Sequence, residues 1–125
     1  MTCRIDTITI DALDPRPIAE FWAALLGWHI VTEDADIISI GPGGGARPMI
    51  DVVKVPERKS VKNRLHLDLR ADGTTAEQEV ARALALGGRR VDVGQPADVT
   101  WTVLADPEGN EFCILSRSVQ GVAGS

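Results

Sequence analysis

The sequence predicts an α+β fold built from two β-α-β-β-β modules, and three observations support this prediction. Short stretches that alternate apolar and polar residues, typical of strands, surround two longer stretches with apolar residues at helical spacing. A Leu-Gly pair ends the first helical stretch at 26–27 and the second at 86–87, sixty residues later. The order of elements is the same on both sides of a polar, basic linker at about 56–62. We therefore expect a pseudo-twofold arrangement that forms a curved, cavity-bearing mixed sheet with the helices outside.

The first module is expected to cover about residues 4–55. Residues 4–11 alternate and predict a strand, and Asp14 followed by Pro15 is typical of a helix start. An apolar stripe follows at helical spacing, and Gly27 is a typical residue after a helix end. Three more strands are predicted at 28–34, 36–40 and 48–55, with a glycine-rich turn at 41–45.

The second module is expected to cover about residues 63–117, followed by a tail at 118–125. Residues 64–70 predict its first strand, and Thr74 with Glu77 has the spacing of a capping box at a helix start. The remaining strands are predicted at 89–93, 99–105 and 110–115. Together the modules, the linker and the tail are expected to form a single domain over residues 1–125.

Alternation assigns the residues of each predicted strand to one of two faces. In the strand 64–70, Leu65, Leu67 and Leu69 are expected to face the helix, because that face must be buried. The opposite, concave face then receives the polar residues of this strand and their counterparts on the other strands. These are Thr7, Thr9, Asp11, Met49, Asp51, Val53, Arg64, His66, Asp68, Arg70, Glu111 and Cys113.

Composition and charge exclude some classes of function. The chain has 125 residues, 44% hydrophobic and 25% charged, which is ordinary for a globular domain that buries its own core. Its formal net charge of −5 argues against nucleic acid as a partner, since phosphate binding requires clustered Lys and Arg. No apolar run reaches the roughly twenty residues that cross a membrane. With no apolar signal segment at the N-terminus, we expect a cytoplasmic protein in which Cys3 and Cys113 are free thiols.

Three motifs within this doubled element order resemble the vicinal oxygen chelate superfamily. They are FWAALLG at 21–27, NRLHLDL at 63–69 and DPEGNEFC at 106–113. The superfamily includes glyoxalase I, extradiol dioxygenases, fosfomycin-resistance enzymes and bleomycin-resistance proteins, and the resemblance is closest to its glyoxalase-like branch. It covers roughly residues 4–116. The resemblance implies a small-molecule site in the concave sheet and a homodimer, but it leaves the reaction open because one fold serves many chemistries.

The resemblance also implies positions for metal ligands. Metal-dependent members take a His from the first strand, a polar ligand from the fourth, a His from the fifth and a Glu from the eighth. The matching positions here are Thr7, Asp51, His66 and Cys113. Threonine is a poor ligand for a transition metal, and a thiolate differs from the usual hard oxygen ligands. If a divalent metal (Zn, Ni, Mn or Fe) binds, the expected ligands are Asp51, His66 and Glu111.

His66 and Glu111 are the candidate catalytic residues, because an imidazole and a carboxylate can move a proton next to a carbonyl group. The alternative for His66 is a structural hydrogen bond to Asp68 or Asn63. The alternative for Glu111 is capping of the turn or pairing with an arginine, and for Cys113 it is a small buried side chain. The residues predicted to contact a ligand are Thr7, Asp51, Arg64, Asp68, Trp101 and Cys113.

Three functions remain open from the sequence. The first is a lyase or isomerase-type enzyme that acts on a carbonyl-containing small molecule. The second is a protein that sequesters a small molecule such as an antibiotic without reacting with it, as bleomycin-resistance proteins do. The negative charge and a stacking wall at Trp101 agree with this second function. In the third, the cavity is vestigial and the protein mainly associates with partners.

Overall fold

The computed structural model describes residues 1–123, and these form two compact units. Unit 1 is Met1–Lys59, and unit 2 begins at Ser60. Each unit has the order β-α-β-β-β and one four-stranded mixed sheet, and a short third helix follows in unit 2. The predicted α+β class with two β-α-β-β-β modules is therefore confirmed. Within residues 1–123, no helix has both the length and the apolar character needed to cross a membrane.

Unit 1 contains four strands and one long helix. They are β1 (Thr7–Ala12), α1 (Pro15–Leu26), β2 (His29–Glu33), β3 (Ile37–Gly41) and β4 (Met49–Lys54). The sheet order is β1-β4-β3-β2, with β1 parallel to β4 and the other pairs antiparallel. Helix α1 ends at Gly27, whose φ of 68° is a left-handed conformation that glycine adopts without a Cβ clash.

The core of unit 1 lies between α1 and the sheet, as the alternation predicted. On β4, Ile50 and Val52 are buried, whereas Met49, Asp51 and Val53 keep part of their surface exposed. The helix contributes its predicted apolar stripe, which is buried along its whole length. The stripe residues are Ile18, Phe21, Trp22 and Leu25.

Unit 2 contains shorter strands than the sequence predicted. Its elements are β5 (Leu67–Leu69), α2 (Ala76–Ala85), β6 (Arg89–Arg90), β7 (Thr102–Ala105), β8 (Glu111–Ile114) and α3 (Val119–Ala123). The sheet order is β5-β8-β7-β6, with β5 parallel to β8 and the other pairs antiparallel. Helix α3 lies in the segment that the sequence analysis treated as a tail.

Two predictions for unit 2 are wrong in detail. The strand predicted at 64–70 begins only at Leu67, so Leu65 is 89% exposed and does not pack against the helix. The capping box is one residue later than expected. The Thr75 hydroxyl accepts a hydrogen bond from the Gln78 backbone N–H at 3.1 Å, and the Gln78 side chain accepts from the Thr75 backbone N–H at 3.3 Å.

The turn between β7 and β8 is held by a buried carboxylate. Asp106 is 0% exposed and its side chain accepts hydrogen bonds from the backbone N–H groups of Glu108 and Asn110, at 2.9 and 3.0 Å. The Asn110 side-chain amide donates to the same carboxylate at 2.9 Å. The Gly109 N–H closes the turn by donating to the Asp106 carbonyl, so β8 starts from a fixed position.

Candidate functional site

A cavity of about 360 Å³ lies in unit 2. Residues from β5, β7 and β8 form part of its wall, together with residues 93–95 of the connection between β6 and β7. Its lining residues are Lys62, His66, Asp68, Val93, Gly94, Gln95, Trp101, Val103, Glu111, Phe112, Cys113 and Leu115. The volume falls in the range of small-molecule sites.

The parallel pairing of β5 with β8 brings three chemically active side chains together. In this register Asp68 lies opposite Cys113. His66, which directly precedes β5, lines the same cavity as these two residues. The His66 Nε2 atom lies 3.2 Å from the Asp68 Oδ1 atom. One potential ligand atom from each of His66, Asp68 and Cys113 lies within 4.8 Å of the other two. The cavity thus contains a compact group of an imidazole, a carboxylate and a thiol.

Burial is the main reason why the Cys113 thiol holds its proton. Loss of solvation, followed by the charge of Asp68 and a hydrogen bond to its carboxylate, raises the pKa of Cys113 from 9.0 to about 11. The positive charge of Lys62 acts in the opposite direction. At neutral pH the thiol is therefore protonated, which makes Cys113 a poor nucleophile in the metal-free protein.

Because the Cys113 thiol is protonated, we predict that Cys3 and Cys113 differ strongly in reactivity in chelator-treated protein. A pKa of about 11 instead of 9.0 lowers the thiolate fraction of Cys113 at neutral pH by roughly 100-fold. Iodoacetamide should modify exposed Cys3 first and Cys113 slowly, with the Cys113 rate rising as the pH approaches 11. Mass spectrometry of tryptic peptides measures both rates, and the Cys3→Ser variant should lose the fast reaction. Equal rates at pH 7 would contradict the prediction.

Glu111 has a backbone partner far away in the sequence. Its Oε1 atom accepts a hydrogen bond from the Asn63 N–H at 2.8 Å, across 48 residues. This bond ties the segment before β5 to the start of β8. Glu111 still lines the cavity beside His66 and Cys113.

Trp101 forms part of an apolar wall. It lies just before β7 rather than within it, is 40% exposed, and lines the cavity together with Val93, Val103 and Leu115. An indole ring that is half accessible beside aliphatic side chains can stack on a flat ligand. This placement is compatible with the stacking wall that the sequence analysis considered.

Three predicted site residues lie outside this cavity lining. Arg64 is exposed, and its contact with a ligand stays a prediction. Thr7 and Asp51 lie in unit 1, where Thr9 pairs with Asp51 and the parallel register places Thr7 on the same face. The Thr7 hydroxyl donates to the Asp6 carboxylate at 2.7 Å, and Asp51 accepts from the Ser39 hydroxyl at 2.6 Å. The metal-ligand set Asp51, His66 and Glu111 stays a prediction.

Sequence reasoning did not select seven of the lining residues, and it assigned one of them, Phe112, to the helix side of its strand. The seven are Lys62, Val93, Gly94, Gln95, Val103, Phe112 and Leu115. Lys62 belongs to the segment that was read as a solvated linker. Val93 and Gln95 belong to a connection without regular structure, to which strand alternation does not apply. The Gln95 side chain accepts a hydrogen bond from the Val93 N–H at 2.9 Å and so holds this connection locally. No pattern in the sequence signals that contact.

Comparisons with known proteins identify the family. A family model for the glyoxalase-like domain matches residues 7–115. The chain belongs to the glyoxalase-like domain family. The predicted membership of the vicinal oxygen chelate superfamily is thereby confirmed.

Solved structures show the same fold as this glyoxalase-like domain at low sequence identity. An enzyme of the glyoxalase/bleomycin resistance protein/dioxygenase family from Burkholderia phytofirmans PsJN has 19% identity and a TM-score of 0.66, over 90% of this chain and 97% of its own. The trypanothione-dependent glyoxalase I of Leishmania major has 13% identity and a TM-score of 0.70, over 98% and 93% of the two chains.

A third similar structure is the bleomycin-binding protein of bleomycin-producing Streptomyces verticillus, solved with copper(II)-bleomycin. It has 14% identity and a TM-score of 0.60, over 93% of this chain and 98% of its own. No curated protein matches the chain in sequence. At these identities the likeness shows the fold, and the site must be interpreted from its own residues.

Proposed function

We propose that this glyoxalase-like domain binds a small molecule in the cavity of unit 2. The observation that carries this proposal is the cavity itself, which combines about 360 Å³ of space with an aromatic wall and a few polar groups. Small-molecule sites are concave, largely apolar and contain a small number of polar groups that orient the ligand.

The lining supports a proposal for the chemical class of the ligand. Trp101, Val103 and Leu115 offer a surface for a flat, apolar part. His66 and Lys62 can donate hydrogen bonds to a carbonyl or a similar oxygen, while Asp68 adds an acceptor nearby. A compact molecule that joins an unsaturated or aromatic part to a carbonyl group meets both requirements.

The similar proteins support a function in which a small molecule is bound, but they do not identify that molecule. One is described as a trypanothione-dependent glyoxalase I, and another as a bleomycin-binding protein. The cavity volume lies near the lower end of the usual range, which favours a metabolite-sized ligand over a large glycopeptide. We further propose that the protein is a homodimer, as the resemblance implies. Light scattering at several protein concentrations tests this oligomeric state.

Trp101→Ala is expected to weaken ligand binding by roughly tenfold or more, which corresponds to about 1.4 kcal/mol. The loss follows from removal of the aromatic wall, while the fold should persist because the ring is 40% exposed. Saturation-transfer NMR with a library of small aromatic carbonyl compounds and catechols identifies ligands, and titration then compares the variants.

Leu65→Ala is the matched control for Trp101→Ala, because Leu65 is exposed and does not line the cavity. It should leave the affinity unchanged. Equal affinity of the Trp101→Ala variant and the unsubstituted protein would contradict binding against this wall. Absence of any ligand from the library that competes for one site would oppose the proposal as a whole.

A second candidate function is proton-transfer catalysis on the bound carbonyl compound, as in a lyase or isomerase. The contact of His66 Nε2 with Asp68 at 3.2 Å favours it. When the carboxylate accepts the Nε2–H, the Nδ1 atom is the proton acceptor, and the carboxylate stabilises the imidazolium that forms. Asp68 thus orients His66 as a general base.

His66→Ala is expected to lower turnover by roughly 10²–10⁴-fold with the fold intact, because positioned acid–base groups contribute about that much. Hemithioacetals of 2-oxoaldehydes and small α-hydroxy ketones serve as substrates, and proton exchange by NMR is the readout. His29→Ala changes the second histidine, which lies in unit 1, and should have no effect. Loss of folding in His66→Ala would indicate the structural role considered from the sequence.

A further inference from the structure

We propose that Glu111 is a positioning residue, which holds the segment 62–66 at the wall of the unit 2 cavity through the backbone of Asn63. From the sequence, Glu111 was a candidate for proton transfer. Its carboxylate instead contacts the segment that carries two lining residues, Lys62 and His66. The role rests on the proposed function, because it fixes the hydrogen-bond donors that would meet a bound small molecule.

The main-chain pairing of β5 with β8 does not include this segment. The pairing begins at Leu67, which lies opposite Phe112, although the alternation of the sequence predicted a strand from residue 64. Residues 60–66 have no regular secondary structure, and all of them are exposed except Asn63, which is half-buried. An exposed segment outside the sheet opens at a low cost in free energy unless another contact holds it.

Glu111 supplies such a contact from the first residue of β8. Its Oε1 atom accepts a hydrogen bond from the Asn63 N–H at 2.8 Å, in a partly buried contact between residues 48 positions apart. The next three residues of β8 are buried, so the carboxylate projects from a rigid strand. A hydrogen bond to an ionised acceptor is roughly twice as strong as one between neutral groups. The carboxylate therefore continues the attachment of the chain beyond the end of the main-chain pairing.

Asn63 connects this carboxylate to the lining residues of the segment. The Lys62 ammonium donates a weak hydrogen bond to the Asn63 carbonyl at 3.4 Å, while the Asn63 N–H donates to Glu111. His66 follows three residues later, and its Nε2 atom lies 3.2 Å from the Asp68 carboxylate. Donors that are already held in place lose less conformational entropy when a ligand binds. Loss of the Glu111 contact should therefore weaken binding although Lys62 and His66 are still present.

Amide hydrogen exchange measures this contact in the full chain without any ligand. The Asn63 N–H should exchange roughly tenfold or more slowly than the N–H of exposed Leu65, after correction for intrinsic rates, because a hydrogen-bonded amide must open before it exchanges. Glu111→Ala should abolish the difference. Glu111→Gln should keep most of it, because the side-chain amide oxygen is still an acceptor. Equal exchange of the two amides in the unsubstituted protein would overturn the proposal, even if Glu111→Ala failed to fold.

The imidazole NMR signals of His66 show whether the contact positions a lining residue. The chain has two histidines, and the His29→Ala variant assigns the two sets of signals. Glu111→Ala should shift the signals of His66 and leave those of His29, which lies in unit 1, unchanged. Glu111→Gln should stay close to the unsubstituted protein. Shifts as large in Glu111→Gln as in Glu111→Ala would show that the negative charge matters rather than the contact with Asn63, and the positioning role would then be wrong.

Asn63 offers a matched pair of substitutions on the donor side of the contact. Asn63→Pro removes the N–H, whereas Asn63→Ala keeps it and is the control. With acetophenone as the probe of binding, Asn63→Pro and Glu111→Ala should each weaken the affinity about three- to tenfold, and Asn63→Ala should not. The double variant with Asn63→Pro and Glu111→Ala should bind no more weakly than either single variant, because both changes remove the same contact.

The outcomes separate the role of Glu111 from the proposed binding function. Circular dichroism first verifies that each variant is folded. Additive losses of affinity in the double variant would overturn the positioning role while acetophenone binding to the unsubstituted protein still supported the proposed function. If acetophenone does not bind to the unsubstituted protein, that result opposes the proposed function, and the exchange rate of the Asn63 amide together with the His66 signals still decides the role of Glu111.

Discussion

Asp106→Ala is expected to lower the free energy of unfolding by about 3 kcal/mol, because it removes the buried acceptor of three hydrogen bonds in the turn between β7 and β8. The backbone N–H groups of Glu108 and Asn110 and the Asn110 side chain all donate to the Asp106 carboxylate. Buried donors that lose their acceptor cost about 1–3 kcal/mol each, and partial access of water to the turn reduces the sum. Urea unfolding followed by circular dichroism measures the change.

Asp92→Ala is a suitable control for Asp106→Ala. The Asp92 carboxylate also accepts a backbone N–H, that of Gly94 at 2.8 Å, but it is exposed and water can replace it. Its loss should cost less than about 1 kcal/mol. Similar destabilisation by the two substitutions would show that burial of the Asp106 carboxylate is unimportant.

Trp22→Ala is expected to lower the free energy of unfolding by about 3–5 kcal/mol. The indole is 1% exposed in the core of unit 1 and lies edge-to-face against Phe21, with ring centroids 5.5 Å apart. Removal of the ring leaves a large cavity that the rigid α1–sheet packing fills only in part. Thermal and urea unfolding of the variant measure the loss.

The same substitution at Trp101 separates stability from binding. Trp101→Ala should cost about 1 kcal/mol or less in stability, because this ring is 40% exposed, but it should weaken ligand binding. Trp22→Ala should destabilise the protein and leave the affinity of the remaining folded molecules unchanged. A large loss of stability from Trp101→Ala would mean that this ring is a core residue instead.

The fold could be predicted because burial follows a period in the sequence. The stripe on α1 and the alternation of Ile50 and Val52 with Asp51 on β4 each assign a buried face without further information. Predictions failed where a local hydrogen bond decides the position of an element. The choice of Thr75 over Thr74 as the N-cap depends on contacts with Gln78, and both threonines fit the sequence pattern.

The polar strand residues of the candidate site were predictable, whereas its loop residues and the apolar strand residues Val103 and Phe112 were not. Alternation places His66 and Asp68 on one face of the predicted strand, and it places Cys113 on the corresponding face of another. Which of these residues lie opposite each other depends on the register between β5 and β8, and no local pattern in the sequence reports it. The contact between Glu111 and Asn63 and the position of Gln95 arise from irregular segments, to which periodicity does not apply.

The pairing of β5 with β8 also has a consequence for the folding of unit 2. Asp68 and Cys113 are paired neighbours although 45 residues separate them, from 68 to 113, whereas β7 and β8 are joined by a short turn. Bringing distant segments together carries a larger loop-closure entropy, so such contacts form more slowly than local ones. The hairpin of β7 and β8 can therefore form early, and the arrival of β5 completes the sheet. The contact between Asp68 and Cys113 therefore belongs to the last stage of folding rather than to the first collapse.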